Sequence, residues 1–122
     1  MFELKVVSRF AAAHNLREFY GKCEDLHGHN WLVEVYVTAE ELDDTGLVMD
    51  FGIIKKQLAE VLADLDHKYL NDLDFFKVNN PSSENIALYI YEKLAPRLHR
   101  GTIRLARVSA WESENACATY IP

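Results

Sequence analysis

The chain has 122 residues, 49% hydrophobic and 26% charged, the composition of one ordinary globular domain spanning 1–122 with no low-complexity tract. Its net charge of −6 argues against nucleic acid or an anionic membrane surface as a partner, since basic patches recruit both. No apolar run reaches about 18 residues and no signal-peptide pattern is present, so a cytoplasmic protein is expected, in which two cysteines are too few for a disulfide framework.

Met1 to Ala13 alternates as a strand, with Phe2, Leu4, Val6, Phe10 and Ala12 on one face and Glu3, Lys5 and Arg9 on the other. Asn30 to Thr38 alternates as a second strand. Ala39 to Gly46 is an acidic connection, and Leu47 to Asp50 reads as short and extended. Asp50 stands where an N-cap belongs, before a helix whose apolar stripe is Phe51, Ile54, Leu58, Val61, Leu62 and Leu65 and which ends near Asp66 to Asp72. In a second helix Asn80 is expected to cap, Pro81 to take the first helical position, and Ile86, Ile90, Leu94 and Leu98 to form the buried row, with Pro96 kinking or ending it. Gly101 closes a turn. Thr102 to Trp111 reads as a third strand, Glu112 to Asn115 as a hairpin turn and Ala116 to Ile121 as a fourth strand. Cys117 is expected to be a packed small hydrophobe and His99 to be structural. The order ββααββ predicts an α+β fold, a four-stranded antiparallel sheet with two helices on one face and a polar opposite face carrying Glu3, Lys5, Arg9, Asn30, Glu34 and Thr38.

Chemistry concentrates in Cys23-Glu-Asp-Leu-His27-Gly-His29. If His27 and His29 open the second strand, period-two geometry aims both to one side, with the small Gly28 between them easing close backbone approach. His14 continues the apolar parity of the first strand, so all three imidazoles fall on the covered face. Three histidines without an obvious fourth ligand suit a catalytic Zn²⁺ with an open position. Zinc is preferred to iron because no carboxylate completes a facial triad nearby, with Glu24 and Asp25 the residues to watch. Cys23 follows a Gly21-Lys22 turn. A nearby metal and Lys22 would lower its thiol pKa and make it a base or nucleophile; alternatively it closes a four-ligand site in a non-catalytic zinc-binding assembly module. Asp66-His67 and Glu112 read locally as a helix-end pair and a turn carboxylate, and Ser82, Ser83 and Glu84 as capping residues.

Phe10-Ala-Ala-Ala-His14 followed by Cys23-x-x-x-His27-Gly-His29 resembles the 6-pyruvoyl-tetrahydropterin synthase superfamily, in its bacterial 6-carboxy-5,6,7,8-tetrahydropterin synthase branch. The resemblance extends through Leu65-Asp-His-Lys-Tyr-Leu-Asn-Asp72 and Asn80-Pro-Ser-Ser-Glu84. It implies a tunnelling fold whose sheets join into an oligomeric barrel, a trimer or hexamer with active sites at subunit interfaces. It also implies a zinc-dependent lyase acting on 7,8-dihydroneopterin triphosphate, releasing acetaldehyde and triphosphate on a route to queuosine and other 7-deazapurines. By the same resemblance His14, His27 and His29 hold zinc, Cys23 is the general base, and His67 relays its proton with Asp66 orienting it. Glu112 anchors the pterin ring, with Ser82, Ser83 and Glu84 bordering the pocket. A 6-pyruvoyl-tetrahydropterin synthase, which eliminates triphosphate without releasing acetaldehyde, is the implied alternative.

Overall fold

A computed structural model describes residues 1–18 and 22–122. Two long strands, β1 (Phe2–His14) and β2 (His27–Ala39), pair antiparallel along their whole length. β4 (Arg104–Ser113) continues the sheet beyond β2, and β5 (Ala116–Tyr120) forms its far edge. The fifth strand, β3 (Lys68–Tyr69), has only two residues and runs parallel to β1, giving the order β3-β1-β2-β4-β5. The sheet thus has one strand more than the four expected, because a two-residue bridge carries no alternation to recognise.

Alternation decides which side of the sheet is covered. Val6, Phe10, Ala12, Trp31, Val33, Val35 and Val37 are buried under α1 (Phe51–Ala63) and α3 (Ser83–Leu98), whose stripes of Ile54, Leu58, Val61 and Leu62 and of Ile86, Ile90, Leu94 and Leu98 are buried with them. Phe51, counted in the first stripe, is half exposed. The opposite face is polar, as expected. Lys5 pairs with Glu34 at 3.3 Å, and Arg107 pairs with Glu3 while stacking over Tyr36. Cys117 belongs to this open side, where it faces Trp111 across the hairpin and is exposed, not packed.

Local sequence signals and structure agree at some positions and part at others. Asp50 caps α1, its carboxylate accepting the Gly52 amide at 2.7 Å, and Gly101 turns with φ +52. Leu47 to Asp50 forms no strand, and a five-residue helix, α2 (Asp74–Val78), intervenes before α3. Ser82, not Asn80, caps α3 by accepting the Asn85 amide, and Pro81 lies ahead of the helix. Pro96 neither ends nor precedes the end of α3 by a full turn; the helix runs on to Leu98, since a proline there forfeits a single amide donor close to a terminus.

Asn80 is released from capping for a longer-range task. Its side chain accepts the Arg17 amide at 2.8 Å and donates to the Arg17 carbonyl at 2.9 Å, as a neighbouring strand would. Asn71 treats Asn15 identically, at 3.1 and 2.8 Å. The Arg17 guanidinium donates to the Phe76 carbonyl, so this base is committed to the fold. Two asparagines therefore hold the chain as it leaves β1 toward Cys23. Asn80→Ala strips partners from two half-buried backbone groups and is expected to cost about 1–3 kcal/mol in urea denaturation, with little change in the denaturant slope.

Candidate metal centre and adjoining groove

The register of β1 on β2 places His14 directly opposite His27, and Ala12 opposite His29. Both histidine strands face the core, so the three rings meet at one end of the sheet over the edge of Trp31, whose centroid lies 5.3 Å from His14 and 5.4 Å from His29. His14 is 2% exposed; His27 and His29 are partly covered.

Ring orientation is fixed from behind. His14 Nδ1 donates to the Pro81 carbonyl at 2.6 Å and His27 Nδ1 to the Asp25 carbonyl at 2.9 Å. With those protons on Nδ1, each Nε2 presents a lone pair inward. The two Nε2 atoms stand 3.0 Å apart, close to the roughly 3.3 Å separating two nitrogens in a tetrahedral zinc site with bonds of about 2.0–2.1 Å. His29 Nε2 is buried and makes no hydrogen bond. A divalent cation would satisfy all three nitrogens, so the residues fit zinc. Burial, reinforced by His14 and His27 and opposed by Glu112, holds the His29 pKa below its usual value. The unfolded chain therefore takes up this proton first, and the ring's contribution to stability is full above about pH 6.5 and lost as pH falls.

The expectation that no carboxylate lies near the histidines is corrected here. Glu112 Oε1 is 2.9 Å from His29 Nε2, 3.4 Å from His14 Nε2 and 4.0 Å from His27 Nε2, and the four side chains form one group of potential ligands. Glu112 is no turn residue. β4 continues through Ser113, so Glu112 keeps the parity of the buried Val108 and Ala110 and points to the histidine side. The register breaks between Trp111 and Ser113 in the pairing with β5, a bulge at which one extra residue is accommodated. Glu24 stands on the outer side of His27, 3.7 Å from Nδ1, and accepts the Leu16 amide.

Cys23 is exposed on the β1–β2 connection and, among the described residues, is not part of the four-residue group. Gly21, assigned to the turn before it, lies outside the described residues. Next to His29 lies a groove of about 560 Å³ lined by Ala11, Ala12, Ala13, Gly28, His29, Asn30, His67, Lys68 and Tyr69. Its walls are small where a flat ring could lie. A Cβ on Gly28 would meet only the Ala12 carbonyl at 3.5 Å, an ordinary contact, so Gly28 is not required for close strand approach, but any larger side chain would enter the groove.

His67 borders this groove with its ring 82% exposed and its backbone left-handed at φ +57, a costly conformation for a residue with a Cβ. The strain is held by a clamp on Ala11. Asp66 Oδ1 accepts the Ala11 amide at 2.9 Å, and the Ala11 carbonyl accepts the His67 amide. The other Asp66 oxygen lies 3.7 Å from His67 Nε2, beyond hydrogen-bonding distance. Asp66 thus orients His67 through the backbone. Ser82, Ser83 and Glu84 open α3 next to Pro81, behind His14, and none of them lines the groove. Among the described residues no helix is long and apolar enough to cross a membrane.

Comparison with known proteins agrees with this geometry. Over 99 residues the chain is 42% identical to the 6-carboxy-5,6,7,8-tetrahydropterin synthase of Synechocystis sp., covering 74% of this chain and 75% of that one. It is 41% identical over 103 residues to the dihydroneopterin monophosphate aldolase of Pyrococcus furiosus, covering 84% and 82%. The solved structure of Caenorhabditis elegans 6-pyruvoyl tetrahydropterin synthase superposes with a TM-score of 0.87 at 33% identity, covering 99% of this chain and 95% of that one. The family model described as 6-pyruvoyl tetrahydropterin synthase matches residues 3–122, and the chain belongs to that family.

Proposed function

We propose that the protein is a zinc-dependent lyase that converts 7,8-dihydroneopterin triphosphate and water into 6-carboxy-5,6,7,8-tetrahydropterin, acetaldehyde and triphosphate, in the cytoplasm, on the route to queuosine and related 7-deazapurines. The observation that carries the reading is the convergence of three imidazole Nε2 atoms, one of them on His29, which also lines the groove that His67 borders, in a chain 42% identical to a protein named for this product.

His14, His27 and His29 would hold a zinc ion, which when bound would polarise the substrate's side-chain oxygens and so acidify the neighbouring C–H bonds. Cys23, exposed and beside Lys22, takes the carbon-bound proton as thiolate. His67 exchanges that proton with solvent from its exposed position, and Asp66 fixes its backbone. Glu112 offers two acceptor oxygens to the donor pair of a 2-amino-4-oxo ring, as a carboxylate does to a guanidinium. Ser82, Ser83 and Glu84 follow Pro81, whose carbonyl holds His14, and so act behind the histidine centre and not in the groove. The polar open face and the free edges of the sheet suit closure with other copies into a barrel, as a trimer or hexamer, which removes the unpaired edges.

Strain at His67 gives a separable test of its role. His67→Gly keeps the amide that binds Ala11 and relieves the left-handed backbone, so stability should rise by up to about 1 kcal/mol while turnover falls by about 10²-fold. Thermal melting and steady-state kinetics on one preparation check both halves; unchanged turnover would remove His67 from the mechanism.

The aldolase relative favours one competing reaction, cleavage of the side chain without loss of phosphate. A pyruvoyl-type synthase would instead expel triphosphate and keep the side chain whole. Incubation with 7,8-dihydroneopterin triphosphate separates all three: acetaldehyde together with triphosphate supports the proposal, and either product set without acetaldehyde defeats it.

A further inference from the structure

We propose that the open face of the sheet carries a second small-molecule site, which takes a flat heteroaromatic ring bearing one carboxylate. That is the chemistry of the product assigned above, and the choice of ligand rests on that reading. The site is a cavity of about 520 Å³ built on one row across three strands, since Arg9 pairs with Leu32 and Leu32 with Trp111. With about 4.8 Å between neighbouring strands, the row spans roughly 10 Å from Arg9 to Trp111, the reach of a fused two-ring system with its carboxyl group. Leu32 gives the cavity an apolar floor and Trp111 an aromatic one. The indole is held in place, its N–H donating to Glu34 at 2.5 Å, so this platform exists before any ligand arrives.

Charge decides how a ligand lies along the row. Glu34 is already matched, by the Trp111 N–H and by Lys5 at 3.3 Å, and its side chain is only 13% exposed. Arg9 lines the cavity and, among the described residues, spends its guanidinium on no other side chain. A guanidinium grips a carboxylate through two parallel hydrogen bonds, so the acid group belongs at Arg9 and the ring over Leu32 and Trp111. Glu114, on the exposed turn after β4, disfavours a multiply charged chain such as triphosphate at the Trp111 end. The cavity is separate from the metal centre, since none of His14, His27, His29 and Glu112 lines it. It nevertheless adjoins the groove that His67 borders, because Asn30 lines both. Product formed in the groove therefore has this site beside it.

The test is fluorine NMR on protein carrying fluorinated tryptophan, which has two resonances, one from Trp111 and one from Trp31, buried against His14 and His29. W111F assigns them. The probe is pterin-6-carboxylate, a stable oxidised relative of the product. Its titration should move the Trp111 resonance saturably, and R9Q, a change at an exposed side chain, should weaken that binding at least about tenfold. Unsubstituted pterin and inorganic triphosphate should each bind there at least about tenfold less tightly than the carboxylate. A Trp111 resonance that stays still, a response confined to Trp31, or a Trp111 response that R9Q leaves at full affinity would overturn the proposal. Protein that releases no acetaldehyde from 7,8-dihydroneopterin triphosphate, yet shows the Arg9-dependent response at Trp111, would defeat the assigned reaction and leave the second site standing.

Discussion

Alanine at position 14 should remove the metal and much of the stability together. His14 is buried, opposes His27 across the β1–β2 ladder and donates through Nδ1 to the Pro81 carbonyl, so the change deletes a ligand, opens a void beside Trp31 and strips an acceptor of its partner. Loss of outer-shell partners alone lowers metal affinity by about 10–100-fold, and loss of the ligand itself should exceed the upper figure. The void and the orphaned carbonyl should cost the zinc-free protein about 2–4 kcal/mol. Chelator competition and chemical denaturation measure the two losses separately. Zinc affinity within a few-fold of wild type would mean that the ring is a core histidine and nothing more.

Cys23→Ala should do the opposite, destroying turnover while sparing everything else. The thiol is exposed and stands apart from the histidine group, so stability should stay within about 0.5 kcal/mol and zinc content should not change. If the thiol is the general base proposed above, its removal should lower kcat by about 10²–10⁴-fold. Zinc analysis and single-turnover kinetics on the same sample provide the check. Loss of zinc on this substitution would instead make Cys23 a ligand and favour a closed, non-catalytic site.

The sheet and the histidine triad were legible because period-two alternation is a direct record of which face is covered. His14 could be aligned with Phe10 and Ala12, and His27 and His29 with Trp31, from sequence spacing alone. Glu112 was harder. Its parity with Val108 and Ala110 was present in the sequence, but ending the strand at Trp111 consigned it to a turn and hid its approach to the histidines. The true turn is Glu114-Asn115, two residues long.

Asn80 illustrates a different failure. Asparagine before Pro-Ser-Ser-Glu satisfies local capping rules, yet its side chain serves Arg17, more than sixty residues away, and Ser82, two residues on, caps instead. Local rules cannot register such a distant competitor. β3 and α2 escaped for want of length, since neither two nor five residues establish a period. The left-handed backbone of His67 gave no sign either, because the clamp that sustains it comes from Ala11 on another strand.

The most direct test is to measure zinc and acetaldehyde on one purified sample supplied with 7,8-dihydroneopterin triphosphate. About one zinc per chain, with acetaldehyde and triphosphate formed in equal amounts, is the expected result, one metal being all that three converging histidines hold. Protein that carries zinc but forms no acetaldehyde would contradict the assigned reaction, and folded protein that binds no zinc would contradict the metal centre from which it is derived.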